Sequence, residues 1–543
     1  MRLKARSVIL LAASRAAAYI DVTVEKKEKR MTTTAASSLN ANSSAEQTLS
    51  RRNMLGQMGT GLGLGYAALL HTQAHAQAAA IGKTGEAKAS ALTLNADDAT
   101  YFAQEEPYFM QLARDEFTLD PAVVYFMAAQ KGSVPKSVMA RYKEGLDQGA
   151  RDPFPVYVQP VAQMRASIAK CYGTSADQIA ITRNTTDALS LAMNGIEWKA
   201  GDEILISPLE HPTGITLALR IAARYGVIIK QWGIPVGKST TADEVVAALQ
   251  RRVVPGKTKV IFFSSPLWPT GMRLPERKIA EVAQKAGAIT IVDGAHYNGM
   301  IDPKLDETGI DFFALCGHKW QNGPGGTGVL YIRNKKLPSN PTDLPRFHLT
   351  RSQSRDIPFD GSRGEWDIGQ ALTFYGFPES ADWRALTDAC LLWDKIGRQR
   401  IETWHMRLGS YFTRQLVANF GEASILRPTQ DAALNSGIIA FNPFPTKEQR
   451  WSEKLNVDFR ANMLRDYGFR ISGLGVGSNG LTRRPDPEAA AFPAGTIPNR
   501  DPASLAPAPM DHPQRVNACL WNNRAQIDNF CAATKDLVKK MAV

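Results

Sequence analysis

The 543-residue chain has few cysteines, no long apolar run, no basic stripe and no internal repeat, and each shortage removes a class of function. Its cysteines are Cys171, Cys316, Cys390, Cys519 and Cys531. The number is odd, the spacings are wide and no CxxC pair occurs. No metal site is therefore expected, and the thiols read as small buried hydrophobes. No later segment reaches 18 apolar residues, so no stable membrane span is expected. The formal charge is +12, but half of that excess lies in the first 76 residues, with ten Lys/Arg against four Asp/Glu. The remainder is only mildly basic and has no Arg/Lys run interleaved with aromatics, so no nucleic-acid partner is expected.

What is present is ordinary for a folded enzyme: 44% hydrophobic and 21% charged residues. The length suits two domains with extensions. The first extension reads as an address. Arg51 and Arg52 precede a glycine-rich, weakly apolar run, Met54–Leu70, followed by Ala74-His75-Ala76. This resembles a twin-arginine export signal, with cleavage after Ala76 and Gln77 as the new first residue. Export to the periplasm through the twin-arginine machinery is the expectation. That route carries folded proteins, which suits an enzyme loaded with a cofactor before export. Residues 1–30 precede a second methionine, Met31, an alternative start, and residues 31–50 are rich in Ser, Thr, Ala and Asn.

From about 136 to 335 short β-rich runs alternate with helical stretches. Strands are predicted at 203–207, 227–232, 259–265, 288–293, 311–315 and 328–332, and helices at Thr186–Asn194, Thr213–Arg224, Ala242–Arg251 and Glu276–Ala286. This is the α/β pattern of a mostly parallel, doubly wound sheet, whose ligands bind beyond the carboxyl ends of the strands. After about 375 come long amphipathic stretches (Ala381–Phe420) and a short strand in 436–443. The expected division is an extension (1–76), an N-terminal segment (77–135), a large domain (136–375) and a smaller α+β domain (376–543). Within the last, residues 477–513 form a long loop rich in Pro, Ala, Gly and Asn, a candidate lid.

The chemistry concentrates at predicted strand ends. Asp293 closes an apolar strand, where a carboxylate sits at the ligand end of the sheet. Pyridoxal phosphate needs such a group, because an ionised Asp keeps the pyridine nitrogen protonated and the ring electron-poor. Lys319 follows Gly317-His318 after another strand. Apolar surroundings favour its neutral amine, the form that makes a Schiff base. Thr185 and Thr186 stand where a strand end runs into a helix, and hydroxyls with backbone N–H groups at a helix start suit a phosphate. His211 follows a strand end and can lie over an aromatic ring.

The segments NTTDA (184–188), EHPTG (210–214), VDGAH (292–296) and GHKWQNGPGGTG (317–328), in this order, resemble the class V aminotransferases. That group of pyridoxal-phosphate fold-type I proteins includes cysteine desulfurases and isopenicillin N epimerase-like proteins. The resemblance runs from about 115 to 540. It implies a cofactor Schiff base on Lys319, Asp293 paired with the pyridinium nitrogen and His211 stacked on the ring and relaying protons. It further implies Thr185, Thr186 and His318 on the phosphate and His296 on the phenolic oxygen. Cys316 stands where the family often has a phosphate-binding serine. Ser362, in DGSRG (360–364), matches a hydroxyl that reaches the neighbouring subunit's phosphate, which implies a homodimer. Arg515, in QRVNACLWNNRAQID (514–528), matches the family arginine that grips the carboxylate of an amino-acid-like substrate.

Desulfurases of this family carry a nucleophilic cysteine on a loop that corresponds here to FRISGLGVGSNG (469–480), which has none. Proton removal from the α-carbon, with return giving transamination or epimerisation, is the favoured chemistry. Lyase or desulfurase-like activity and a non-catalytic, cofactor-retaining binding protein are the alternatives. Trp268, Trp320 and Trp366 are candidates for an aromatic pocket wall or for core packing.

Overall fold

Apolar runs without polar alternation form strands only where both faces of a sheet are covered. A computed structural model describes residues 97–153, 158–333, 347, 368–374, 376, 378–473 and 511–541. The export segment, Ser362, Trp366 and most of the 477–513 loop lie outside the described residues.

The central sheet has seven strands: β1 (Ile179–Thr182), β2 (Glu203–Ile206), β3 (Ile228–Gln231), β4 (Thr258–Ser264), β5 (Ile289–Asp293), β6 (Phe312–Cys316) and β7 (Gly328–Ile332). Their order is β1-β7-β6-β5-β4-β2-β3. Only β7 runs against its neighbours. Alternate residues feed two separate cores. Ile261, Phe263, Val292, Phe313 and Leu315 enter one, whereas Val260, Phe262, Ile291, Phe312 and Ala314 enter the other. Helices Ala242–Gln250 and Glu276–Ala286 pack into the first core, and helices Thr185–Gly195 and Pro212–Tyr225 into the second. Each fully buried large aliphatic or aromatic side chain contributes about 1.5–3 kcal/mol, so a sheet covered on both faces is the stable arrangement for these runs.

The six predicted strands and four predicted helices all form, with ends moved by a residue or two. The amphipathic stretch 381–420 becomes two helices, Ser380–Ile396 and Arg398–Phe420. The break falls at Gly397, whose φ of 102° is open to glycine. A second, antiparallel sheet orders β9 (Ser472–Gly473), β10 (Gln514–Asn517) and β8 (Ile438–Phe441). All five cysteines are free and buried. Among the described residues no helix is long and apolar enough to cross a membrane.

The N-terminal segment is welded to the C-terminal helices. Helix Asp98–Glu116 stacks Phe109 on Trp404, with centroids 4.4 Å apart. Buried Glu105 accepts a 2.6 Å hydrogen bond from Arg400 Nε, and the guanidinium lies 3.5 Å over the Tyr108 ring. Removing one member of such a pair leaves the other charge buried alone. Glu105→Ala should therefore cost about 3–5 kcal/mol, and Glu105→Gln less, because the amide still accepts a hydrogen bond. Urea unfolding of both variants checks this; equal stability of Glu105→Ala and the parent would remove the pair as an anchor.

Candidate active site

Parallel strands deliver their last residues to one edge, and the backbone groups freed there face a crevice. Asp293 ends β5, in register with Ser264, the last residue of β4. Cys316 ends β6, and Thr182 at the end of β1 pairs with Gly328. Around a cavity of about 250 Å³ at this edge the structure brings together Thr185, Thr186, His211, Asp293, His296, His318 and Lys319. Ser362 is outside the described residues.

One end of the cavity is made for an anion. Helix Thr185–Gly195 opens here, capped by Asn184, whose side chain accepts from Asp187 N. Thr185 Oγ1 is buried with no better partner than the Cys316 thiol, and His318 Nδ1 is buried with none. Burial pushes His318 down to about 4, with Lys319 and Lys131 acting in the same direction, so the ring is neutral. Gly328 closes the wall: a Cβ there would come within 2.8 Å of the Asn184 Cα. The backbone approach to the helix start thus depends on the missing side chain.

The other end is made for a ring. Asp293 is buried and accepts a 3.1 Å bond from Ala295 N. His211 caps helix Pro212–Tyr225 by accepting from Thr213 N at 3.2 Å through Nδ1, which places its proton on Nε2 when neutral. It meets Trp268 edge-to-face at 5.3 Å. Burial lowers His211, and Asp293 works against that shift. His296 is held well below the usual histidine range, first by burial and then by the Lys319 and Arg515 charges; its Nδ1 has no partner. The Cys316 thiol donates to Ala295 O at 3.2 Å and is pushed up by burial. Its proton is committed to the Ala295 carbonyl, while the Thr185 hydroxyl at the anion end remains its neighbour.

Lys319 is lowered from the usual lysine value, chiefly by burial; Cys316 and Asp293 oppose the shift and Arg515 adds to it. Arg515 stands outside the cavity lining, on β10 of the small sheet. Its Nη1 donates to Trp268 O at 2.9 Å and its Nε to Ser472 Oγ at 3.3 Å. Burial brings it down to about 10, so it stays cationic at neutral pH, and no carboxylate among the described residues pairs with it. Trp268 lines the cavity, whereas Trp320 is fully buried against His405 and belongs to the core.

Sequence reading passed over two residues here. Glu210, inside EHPTG, is fully buried and accepts a short hydrogen bond from Ser264 Oγ. Burial raises its carboxyl to about 8; the Ser264 bonds oppose this and Asp293 adds to it. A glutamate beside a histidine gives no sequence signal of burial. Ser472, which holds Arg515, is 43 residues away from it and equally silent.

These groups fit pyridoxal phosphate. The buried Thr185 hydroxyl and His318 ring nitrogen lack the oxygen partners a phosphate provides, and Asp293 and Lys319 line the same cavity. The lowered Lys319 amine also makes a prediction about the ligand-free protein. Acetic anhydride pulses at stepped pH, read by peptide mass mapping, should show Lys319 reacting with a midpoint below that of surface lysines. Asp293→Asn removes a charge that raises the amine and should lower the midpoint further. A Lys319 midpoint equal to the surface average would contradict the burial argument.

Comparison with known proteins follows the same lines. The family model "Aminotransferase class-V" matches residues 156–456. Isopenicillin N epimerase of Amycolatopsis lactamdurans is 31% identical over 336 residues, covering 61% of this chain and 83% of the epimerase. The Streptomyces clavuligerus epimerase is 28% identical over 334 residues, with the same coverage. A solved structure of a C-DES mutant with glycine covalently linked to its PLP cofactor shares the fold with a TM-score of 0.60 at 21% identity, covering 77% of this chain and 100% of that one. An apo cysteine desulfurase from Thermococcus onnurineus NA1 gives 0.60 at 18% identity, covering 79% and 98%. The family match spans more than half of the chain and includes the strand ends that carry Asp293 and Lys319; this chain belongs to the class-V aminotransferases, a family of pyridoxal-phosphate-dependent enzymes.

Proposed function

We propose that this chain is an exported enzyme that takes an amino acid as substrate and moves its α-proton, in transamination or epimerisation. One observation carries the reading: a buried arginine without a counter-anion among the described residues, Arg515, whose charge acts on a lysine already depressed by burial, Lys319. A buried cation of this kind calls for an anionic ligand. A substrate carboxylate on Arg515 brings the α-carbon toward Lys319.

In this reading Thr185, Thr186 and His318 hold the cofactor's phosphate. Asp293 faces its pyridine nitrogen, His211 covers the ring and His296 meets the phenolic oxygen. Pyridoxal phosphate held by these residues would supply an electron sink that makes the α-hydrogen of a bound amino acid acidic. Lys319 Nζ, lowered by burial, would be the base that takes this proton once its amine is free of the cofactor. His211 Nε2 offers a second proton-handling group at the cavity. Return of the proton to the opposite face of Cα inverts the centre. The two epimerase relatives support that branch alongside amino transfer.

Twin arginines before an apolar run, and a small-x-small triplet ending at Ala76, support export to the periplasm. The DGSRG segment with Ser362 supports a homodimer with shared sites.

The loaded protein from Gln77 onward should be yellow, and Lys319→Ala should abolish or shift the visible band. One member of an L- and D-amino-acid panel should bleach it to the pyridoxamine form, which means transamination, or exchange its α-hydrogen in D2O while the band persists, which means epimerisation. Arg515→Ala should raise KM for that amino acid by about 100-fold, the scale of a lost charge-assisted pair, and leave the band in place. A colourless protein in the presence of added cofactor would refute the assignment. In cells, the chain should be found in the periplasm with Gln77 as its first residue and with dimeric mass in light scattering. A membrane-retained N-terminus would refute cleavage, and a monomeric mass would refute the shared site.

A further inference from the structure

Lys319 lies in the turn after β6 and Arg515 on β10 of the small sheet, yet one short piece of chain that precedes both sheets bonds to Asn517, two residues from Arg515, and rests on the Lys319 turn. Phe126 is fully buried among the rings of Phe412, Phe469 and Phe530, at 5.2, 6.1 and 5.7 Å. Its carbonyl accepts from Asn517 N at 3.2 Å, and Ala129 N donates to Asn517 Oδ1 at 3.2 Å. Asn517 lies two residues beyond Arg515 on β10, hence on the same face of that strand. Tyr125 OH donates to Lys131 O at 2.9 Å, which folds the segment back on itself.

Three residues after Ala129 the chain reaches the lysine. Gly132 N donates to His318 O at 2.8 Å. A Cβ on Gly132 would fall 1.8 Å from Asn322 Oδ1 and 2.1 Å from Lys319 O. Asn322, at φ 55°, itself donates through its N–H to Lys319 O at 3.1 Å. The Gly132 Cα therefore rests directly on the turn that carries Lys319, and only glycine permits that approach.

We infer that residues 126–132 are a strap that sets the spacing between Arg515 and Lys319, with Asn517 as the positioning residue at the arginine end and Gly132 at the lysine end. The strap rests on the reading of Lys319 as the cofactor lysine and Arg515 as the carboxylate anchor. It extends that reading by making the N-terminal segment part of the substrate site. The two ends have separable effects: the lysine end governs how the cofactor is held, and the arginine end governs recognition of a carboxylate.

The test uses the full chain loaded with pyridoxal phosphate and two nucleophiles that release the cofactor from lysine. Hydroxylamine carries no carboxylate; aminooxyacetate carries one. Gly132→Ala should weaken retention of the lysine-bound band by about tenfold or more in free cofactor concentration and should shift the pH midpoint of that band. Asn517→Leu should keep the band and its midpoint, and should cut the preference for aminooxyacetate over hydroxylamine by about tenfold. A merely structural role would lower the unfolding midpoint of both variants while leaving the band midpoint and the preference ratio at their parental values, and that result overturns the strap. If Gly132→Ala does not fold, the preference ratio of Asn517→Leu decides alone: unchanged overturns, reduced supports. A parent protein that binds no cofactor sinks the functional reading and the strap with it, whereas a normal parent with unaffected variants sinks only the strap.

Discussion

A lysine in water is a cation, and a cationic amine is neither a nucleophile nor a base. The site depends on making one amine neutral at ordinary pH without placing it out of reach. Burial at the carboxyl edge of the sheet moves Lys319 toward that form, and the Arg515 charge adds to the effect. Cys316 and Asp293 push the other way, so the amine is held between opposing influences. The same dry edge depresses His211, His296 and His318, so the imidazoles are neutral hydrogen-bonding groups rather than competing cations. Glu210 follows the same logic with the opposite sign. Burial in a dry place disfavours the charged carboxylate and raises Glu210, and the neighbouring Asp293 adds to the shift.

That arrangement explains why the fold is built as it is. Each strand that ends at the edge brings one group, and the paired register of Ser264 with Asp293 fixes their spacing. The two cores on either side of the sheet hold the strand ends still. Arg515 is treated differently: it is on the small sheet and is tied to the large one through the Trp268 carbonyl. In the proposed reading, carboxylate recognition and cofactor chemistry sit on separate frames, so a change in how the frames meet alters the accepted substrate without touching the lysine.

The large sheet was readable from the sequence because each strand is a short run of apolar residues between polar turns, and both faces are buried. Asp293, Lys319, Thr185 and His211 were readable because position at a strand end or helix start is itself a chemical statement. The N-terminal segment was opaque for the converse reason. Glu105 lies in a helix rich in charge and looks exposed, but its partner is 295 residues away. Gly132 resembles any turn glycine until the lysine turn is placed against it. Asn517 takes its role from Phe126 and Ala129, almost four hundred residues earlier. Local pattern carries no information about such pairs.

The choice among the family's chemistries turns on sulfur. A desulfurase reaction needs a thiol that can reach the substrate and leave carrying its sulfur, so the thiol must be exposed and readily ionised. All five cysteines of this chain are buried. The one at the cavity, Cys316, is pushed up by burial and donates to the Ala295 carbonyl. A thiol in that state is a packing group. The proton-handling groups at the cavity include the Lys319 amine and the His211 imidazole, one depressed amine and one neutral ring. Groups of that kind take and return protons at carbon, and they do not accept sulfur. These groups suit movement of the α-proton, the step shared by transamination and epimerisation, and its stereochemical outcome is set by which face of Cα each base can reach.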